Sequence, residues 1–133
     1  MSDELTVEGK ASRGYPKLKA PGFGRVVVGG ETWERDLYIR ADGRVEKRRK
    51  KLAKEAYGTS HVIGPAELAK VCKGGPETLV IARGYNGAAH LAPEGETWLQ
   101  EQGIAVVILP TPAAAEHYNS LPGRKAILVH VTC

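Results

Sequence analysis

From Gly64 to Val131 the chain alternates capped helical segments with short apolar runs, and that alternation limits what it can fold into more than any other feature. Gly64-Pro65 opens a helical segment through Lys73 that Gly74-Gly75 closes, with Pro at the first helical position and Gly just past the last. Leu68, Val71 and Cys72 recur at i, i+3, i+4, so one face of that helix is buried. Residues 78–82 form a strand that runs straight into the loop Arg83-Gly84-Tyr85-Asn86-Gly87. A second helix spans about 93–102, with Trp98 and Leu99 facing inward and Gly103 as its stop; Gly95 weakens it by ~1 kcal/mol relative to Ala. Residues 104–109 are continuously apolar, the pattern of a strand buried on both faces. Thr111-Pro112 supplies an N-cap and an N1 proline for a helix through Ser120, and residues 125–131 are the last strand. Three such alternations predict an α/β layer with right-handed crossovers between parallel strands.

The first half reads differently. Arg25-Val26-Val27-Val28, the Gly29-Gly30 turn and residues 32–39, with Trp33, Leu37 and Ile39 on one alternating face, make a hairpin signal. Asp42-Gly43 is a stronger one, of the type I′ kind, and leads into a strand over 44–48. An antiparallel three-stranded meander is expected there. Residues 1–22 have no periodicity and too few apolar groups to offset the entropy of ordering, so they are read as an arm, with one domain over 23–133.

Length fits a single core, and 42% apolar with 26% charged residues is ordinary globular composition. The net charge of +4 is local: residues 44–55 carry seven basic and two acidic side chains, leaving the rest of the chain near neutral. No apolar run approaches the ~20 residues of a membrane span. The acidic start lacks the features of a secretory or transit signal, and Cys72 and Cys133 show no CxxC spacing, so free thiols and a cytoplasmic location are expected.

Several strings occur together in order: Phe23-Gly24 before a Val-rich strand, Asp42-Gly43-Arg44-Val45, Gly58-Thr59-Ser60-His61, Leu79-Val80-Ile81 with its Gly84 loop, Gly103-Ile104, Thr111-Pro112-Ala113-Ala114, Tyr118-Asn119 and His130-Val131-Thr132-Cys133. Together they resemble the small family that includes the adipogenesis-associated Mth-type domain protein, to which a mitochondrial assembly factor of respiratory complex I is similar as a diverged relative. The resemblance covers residues 23–133. It implies a layered α/β/α-type domain with a mixed central sheet, plus an N-terminal antiparallel β-meander or hairpin, and it brings no catalytic residues. The chain departs from that pattern at Ala82-Arg83-Gly84, where relatives have Gly-Thr-Gly or Gly-Arg-Gly; the added methyl restricts close approach there.

Candidate ligand-binding residues are Arg83, Gly84 and Asn86 in the loop, because glycines let backbone N–H groups face an anion and arginine holds a carboxylate or phosphate bidentately. Thr59 and His61 join them as polar anchors at a pocket edge. No Gly-Lys-Ser/Thr, GxGxxG or Gly-x-Ser-x-Gly accompanies the loop. His61, His90, His117, His130 and Cys133 lack paired ligand spacing; His130 and Cys133 are three apart, which in a strand puts them on opposite faces. No metal or other cofactor is expected, and Cys133 is read as the end of a buried strand. Asp36, Asp42, Glu67 and Glu77 show no pairing for acid–base work. Arg44, Lys47, Arg48, Arg49, Lys50, Lys51 and Lys54 form a solvated basic face. With only Tyr38 and Tyr57 nearby for base stacking, a nucleic-acid partner is the third choice. The favoured expectation is a non-catalytic protein-binding or assembly module with a small-anion site. The alternative is an enzyme on a small acidic or phosphorylated metabolite, with Arg83 positioning substrate and His61 moving the proton. A homodimer through an edge strand is left open.

Overall fold

The strand at the centre of the molecule is its last, β10 (Lys125–Val129), whose five residues are all buried. In the computed structural model, which describes residues 14–133, β10 pairs in parallel with β7 (Thr78–Ala82) and antiparallel with β4 (Leu37–Ile39). The sheet is completed by β5 (Val45–Lys47) beyond β4 and β9 (Ala105–Leu109) beyond β7, in the order β5-β4-β10-β7-β9. A β-branched or leucine side chain at most positions of β7 and β10 suits strands covered on both faces.

Two cores flank the sheet. On one face, α2 (Pro65–Val71) and α3 (Pro93–Gln102) lay Leu68, Val71 and Leu99 against Leu79, Ile81 and Leu128. Gly95 lets α3 approach: a Cβ there would sit 3.1 Å from both the Ile63 carbonyl oxygen and Leu68 Cδ1. The short parallel pair β6 (Val62–Ile63) and β8 (His90–Leu91) ties the segments before these helices together. On the other face, α4 (Thr111–Ser120) places Ala114, Ala115 and Tyr118 against Val80, Ile127 and Val129.

That second core is closed by a separate antiparallel sheet, β1 (Leu18–Gly22), β2 (Arg25–Val28) and β3 (Glu31–Trp33), in that order. β1 lies inside the segment expected to be an arm. Leu18, buried to 2% exposure, docks it, and Asn119 clamps its backbone, accepting from Leu18 N–H at 2.8 Å and donating to Leu18 C=O at 2.7 Å. Residues 1–13 lie outside the described residues. The meander also resolves otherwise than expected: residues 34–36 break the run 32–39, so β3 stays with β2 while β4 joins the main sheet. The hairpin at Asp42-Gly43 exists, but Gly43 N–H bonds Arg40 C=O at 2.9 Å and Arg40 N–H bonds Arg44 C=O, with Gly43 at φ +85°. That is a longer turn ending in a glycine bulge, not a two-residue type I′ turn. The basic run becomes α1 (Lys50–Tyr57), which ends at left-handed Gly58.

Residues 104–109 were expected to be buried on both faces. β9 is instead an edge strand, with Ala105 exposed and Val106 to Leu109 half-buried. Its α3 side carries Val106 and Ile108 into the core; Val107 points to the α4 side and belongs to neither core cluster.

One buried cation tests the energetics. Lys125 has no exposed surface; its Nζ donates to the Tyr118 and Leu121 carbonyls at 2.5 and 2.9 Å and lies 4.4 Å from the Tyr118 ring centroid. Burial pulls its ammonium down to about 8. Unfolded lysine keeps its proton to about 10.4, so between those values the unfolded state binds more protons and stability rises with pH. The unfolding free energy of the wild type should therefore gain about 2 kcal/mol over Lys125→Met between pH 8 and 10. The Cys72 thiol, pushed up to about 12 by burial, acts in the opposite direction but equally in both proteins. Urea titrations at each pH check this; a gap independent of pH contradicts it.

Candidate functional site

β7 and β9 are parallel neighbours whose following helices, α3 and α4, lie on opposite faces of the sheet. In open α/β sheets the crevice at the carboxyl ends of such strands is where ligands collect. Here protein fills it. Gly84 N–H donates to Thr111 Oγ1 at 3.0 Å, Thr111 N–H donates back to Gly84 C=O at 3.2 Å, and Thr111 Oγ1–H donates to His130 C=O at 2.8 Å. Thr111 is thus a cross-link: α4 begins at it, with Pro110 in the N-cap position, and its hydroxyl does not cap the helix as expected.

Residues 130–133 lie across the end of the sheet and are held at every step. His130 N–H bonds Ala82 C=O at 2.9 Å, Gly24 N–H bonds Val131 C=O at 2.7 Å, and Tyr85 and Ala88 N–H bond the backbone oxygens of Thr132 and Cys133, each at 2.8 Å. Gly84, at φ +99°, makes this closeness available, since a Cβ would lie 2.4 Å from the Cys133 carbonyl carbon. The loop N–H groups expected to face an anion are therefore spent on the chain itself: those of Gly84, Tyr85, Gly87 and Ala88 all have backbone or Thr111 acceptors. Arg83 is half-buried, and its Nε is buried with no hydrogen-bond partner among the described residues. Asn86 is exposed at the loop tip. Thr59 Oγ1 accepts the His61 N–H at 3.2 Å, so it shapes the turn. Ala82 is buried in the α4-side core, and its methyl packs there rather than narrowing the loop.

Beside this clasp is a buried ionic network. Arg48 is 3% exposed; its Nε and Nη2 hold Glu67 at 2.6 and 3.0 Å, Nη1 holds Asp36 at 2.9 Å, and Nη2 also donates to Ser60 C=O at 2.7 Å. Tyr38 donates to Glu67 at 2.7 Å, and Val131 N–H and His130 Nδ1 bond Asp36 at 2.9 and 2.8 Å. Burial pushes the Asp36 carboxyl up, but the bonds from His130, Val131 and Arg48 and the charge of His130 outweigh it and hold it at about 2. Burial and the Glu67 charge push the Tyr38 phenol far up. One sequence expectation is corrected here. Arg48 does not belong to the basic surface, because two buried carboxylates, Asp36 and Glu67, draw it inward. Arg44, Lys47, Arg49, Lys51 and Lys54 are exposed and Lys50 partly so, with Lys50 Nζ 3.8 Å from Asp36.

The same end of the sheet gathers His61, His130 and Cys133, whose ligand atoms all lie within 4.8 Å of one another. Cys133 Sγ is 3.6 Å from His61 Nε2, and the two imidazole centroids are 5.3 Å apart. The argument from strand alternation does not apply to His130 and Cys133, because β10 ends at Val129 and the residues after it are irregular. Cys133 is half-exposed and does not end a buried strand. Of the site residues expected from sequence, the fold brings His61 and Gly84 to this tail and leaves Asn86 at the surface. Asp36, Tyr38, Arg48, Glu67 and Thr111 were not foreseen as site-builders; single polar residues without spacing signals give no hint of such convergence.

The fold has counterparts. The profile of a family described as "Protein of unknown function (DUF498/DUF598)" matches residues 18–129. The chain is similar to a conserved hypothetical protein, PH1505, from Pyrococcus horikoshii, at 32% identity and a TM-score of 0.81 over 88% of this chain and 99% of that one. It is similar to a solved protein called MT938 at 31% identity and a TM-score of 0.76, over 89% and 99%. A Bordetella pertussis protein described as a Mth938-like domain shares the fold at 20% identity and a TM-score of 0.60, over 98% and 90%. Among the described residues no helix is long and apolar enough to cross a membrane.

Proposed function

We propose, for a chain that belongs to the DUF498/DUF598 family of proteins of unknown function, that it is a non-catalytic protein-binding module, of the kind assembly factors use, whose docking edge is β9. The observation that carries this reading is the free outer edge of an apolar strand. Ala105 N–H bonds Glu77 C=O and Leu109 C=O accepts from Arg83 N–H, so these groups face β7. By alternation the N–H and C=O groups of Val106 and Ile108 face outward, and among the described residues no strand pairs with them. Exposed edges are normally guarded by charges, proline or a bulge. Ala105-Val106-Val107-Ile108-Leu109 has none of these. An extended segment of a partner polypeptide fits there by β-augmentation, its backbone bonding Val106 and Ile108 and an apolar side chain covering Val107.

The other readings have less support. The enzyme reading loses the phosphate-cradling loop, whose N–H groups are engaged, and keeps only the Arg83 guanidinium and His61. Nucleic-acid binding loses Arg48 from its basic face.

Val107→Lys tests the proposal, because a lysine on an open edge blocks strand addition at little cost to the fold. Tagged wild-type chain recovered from its native cell should carry a stoichiometric partner, and the variant should lose it by roughly tenfold or more while unfolding at an unchanged urea midpoint. Recovery of the wild type alone as a monomer, or a partner retained by Val107→Lys, overturns the assignment to β9. A wild-type dimer that the substitution converts to monomer would make the occupant a second copy.

A further inference from the structure

We infer that His61, His130 and Cys133 form a binding site for one zinc ion, separate from the docking edge. Three observations converge on it. The donor atoms lie together: all are within 4.8 Å of one another, and the 3.6 Å between Cys133 Sγ and His61 Nε2 matches the roughly 3.5 Å that separates sulfur and nitrogen on a tetrahedral zinc with bonds near 2.3 and 2.0 Å.

The second observation is the outer shell. Asp36 accepts a hydrogen bond from His130 Nδ1 at 2.8 Å and from Val131 N–H at 2.9 Å. The proton of a neutral His130 is thereby fixed on Nδ1, and the Nε2 lone pair is left as the donor, with the Thr132 hydroxyl 3.4 Å from it. A carboxylate behind a histidine is the arrangement that orients metal-bound imidazoles and raises their basicity. Arg48 in turn fixes Asp36, so this second shell is built into the core.

The third is access. His130 is 1% exposed, whereas His61 and Cys133 are each partly open to solvent, which gives an ion a route in. Two imidazoles and one thiolate suit a borderline-soft ion and disfavour magnesium or calcium, which require oxygen donors. Binding forms Zn–N, Zn–N and Zn–S bonds and releases the Cys133 thiol proton to solvent. The clasp through Gly84, Tyr85 and Ala88 holds the tail residues that supply two of the three donors.

The test uses the full chain stripped with chelator and titrated with zinc against a chromophoric competitor, in parallel with cobalt as a spectroscopic substitute. One equivalent should bind, and cobalt should give tetrahedral visible bands with a thiolate charge-transfer band. His61→Ala and Cys133→Ser should each weaken binding by more than the ~10–100-fold that loss of an outer-shell partner causes, and Cys133→Ser should abolish the charge-transfer band. Cys72→Ala, whose buried thiol lies elsewhere, should bind as the wild type does. Because His61 and Cys133 are partly exposed, these variants should stay folded, which circular dichroism checks. No stoichiometric binding, binding unchanged in both variants, or a cobalt spectrum without thiolate character would each overturn the site.

Discussion

Replacing Arg48 by alanine should lower the unfolding free energy by about 3–5 kcal/mol, the cost of leaving buried carboxylates without their partner. Arg48 is 3% exposed and gives four hydrogen bonds, two to Glu67, one to Asp36 and one to the Ser60 carbonyl. These link the residue before β4, the end of β5, the approach to β6 and helix α2. Without the guanidinium, Glu67 keeps only Tyr38, and Asp36 keeps His130, the Val131 N–H and a distant Lys50. Lys51→Ala, on the same basic run but with its side chain 85% exposed, should stay within ~0.5 kcal/mol of wild type. Denaturant titrations at pH 7 compare the two substitutions. Equal, small effects of both substitutions would mean that the network contributes little.

Gly84→Ala should be nearly as costly, about 3 kcal/mol, for two reasons that add. At φ +99° an L side chain is strained by roughly 1–3 kcal/mol. In addition, the new methyl would lie 2.4 and 2.5 Å from the Cys133 carbonyl carbon and oxygen and 2.9 Å from His130 Cδ2, and the first two are backbone atoms that cannot rotate away. The clash is relieved only by lifting residues 130–133 off the loop, which breaks the bonds from Tyr85 and Ala88. Amide exchange should show the loss of protection concentrated at Tyr85, Ala88 and Val131, with β10 itself little changed. Gly30→Ala is the control: its φ is also positive, at +88°, but nothing lies within 4 Å of a Cβ there, so it should show the strain without the clash.

The α/β half was legible because its signals are local. Pro65, Pro93 and Pro112 sit within the first two positions of their helices, Gly103 closes α3 in the left-handed conformation, and β7 and β10 are apolar runs of strand length. The resemblance to Mth-type domains added the mixed sheet. The errors all concern relations between distant residues. Residues 104–109 have the composition of a buried strand, yet strand order puts them at the edge, and composition does not encode order. β1 docks through Leu18 and the amide of Asn119, a contact across 101 positions that no window of sequence contains. In the same way, Arg48 looked like its basic neighbours until Asp36 and Glu67 were placed beside it. Strand alternation likewise puts His130 and Cys133 on opposite faces, an argument that lapses once β10 stops at Val129.

Ala82, where the family resemblance implies glycine, has a simple account. Its side chain fills the α4-side core at 1% exposure, and the glycine requirement is carried by Gly84 two residues on. The polar groups at this end of the sheet therefore divide by task. Asp36, Arg48, Glu67, Tyr38 and Thr111 hold the structure together, and His61, His130 and Cys133 present their donor atoms on it.

The central claim is that β9 offers its outer edge to a partner strand, and backbone amide exchange at Val106 and Ile108 tests it most directly. In the isolated chain these two N–H groups should exchange far faster than those of Val107 and Leu109, which face β7. In the presence of the captured partner, Val106 and Ile108 alone in β9 should become protected, and in Val107→Lys they should stay unprotected. Protection of both amides in the isolated monomer, or no change when partner binds, would contradict the account.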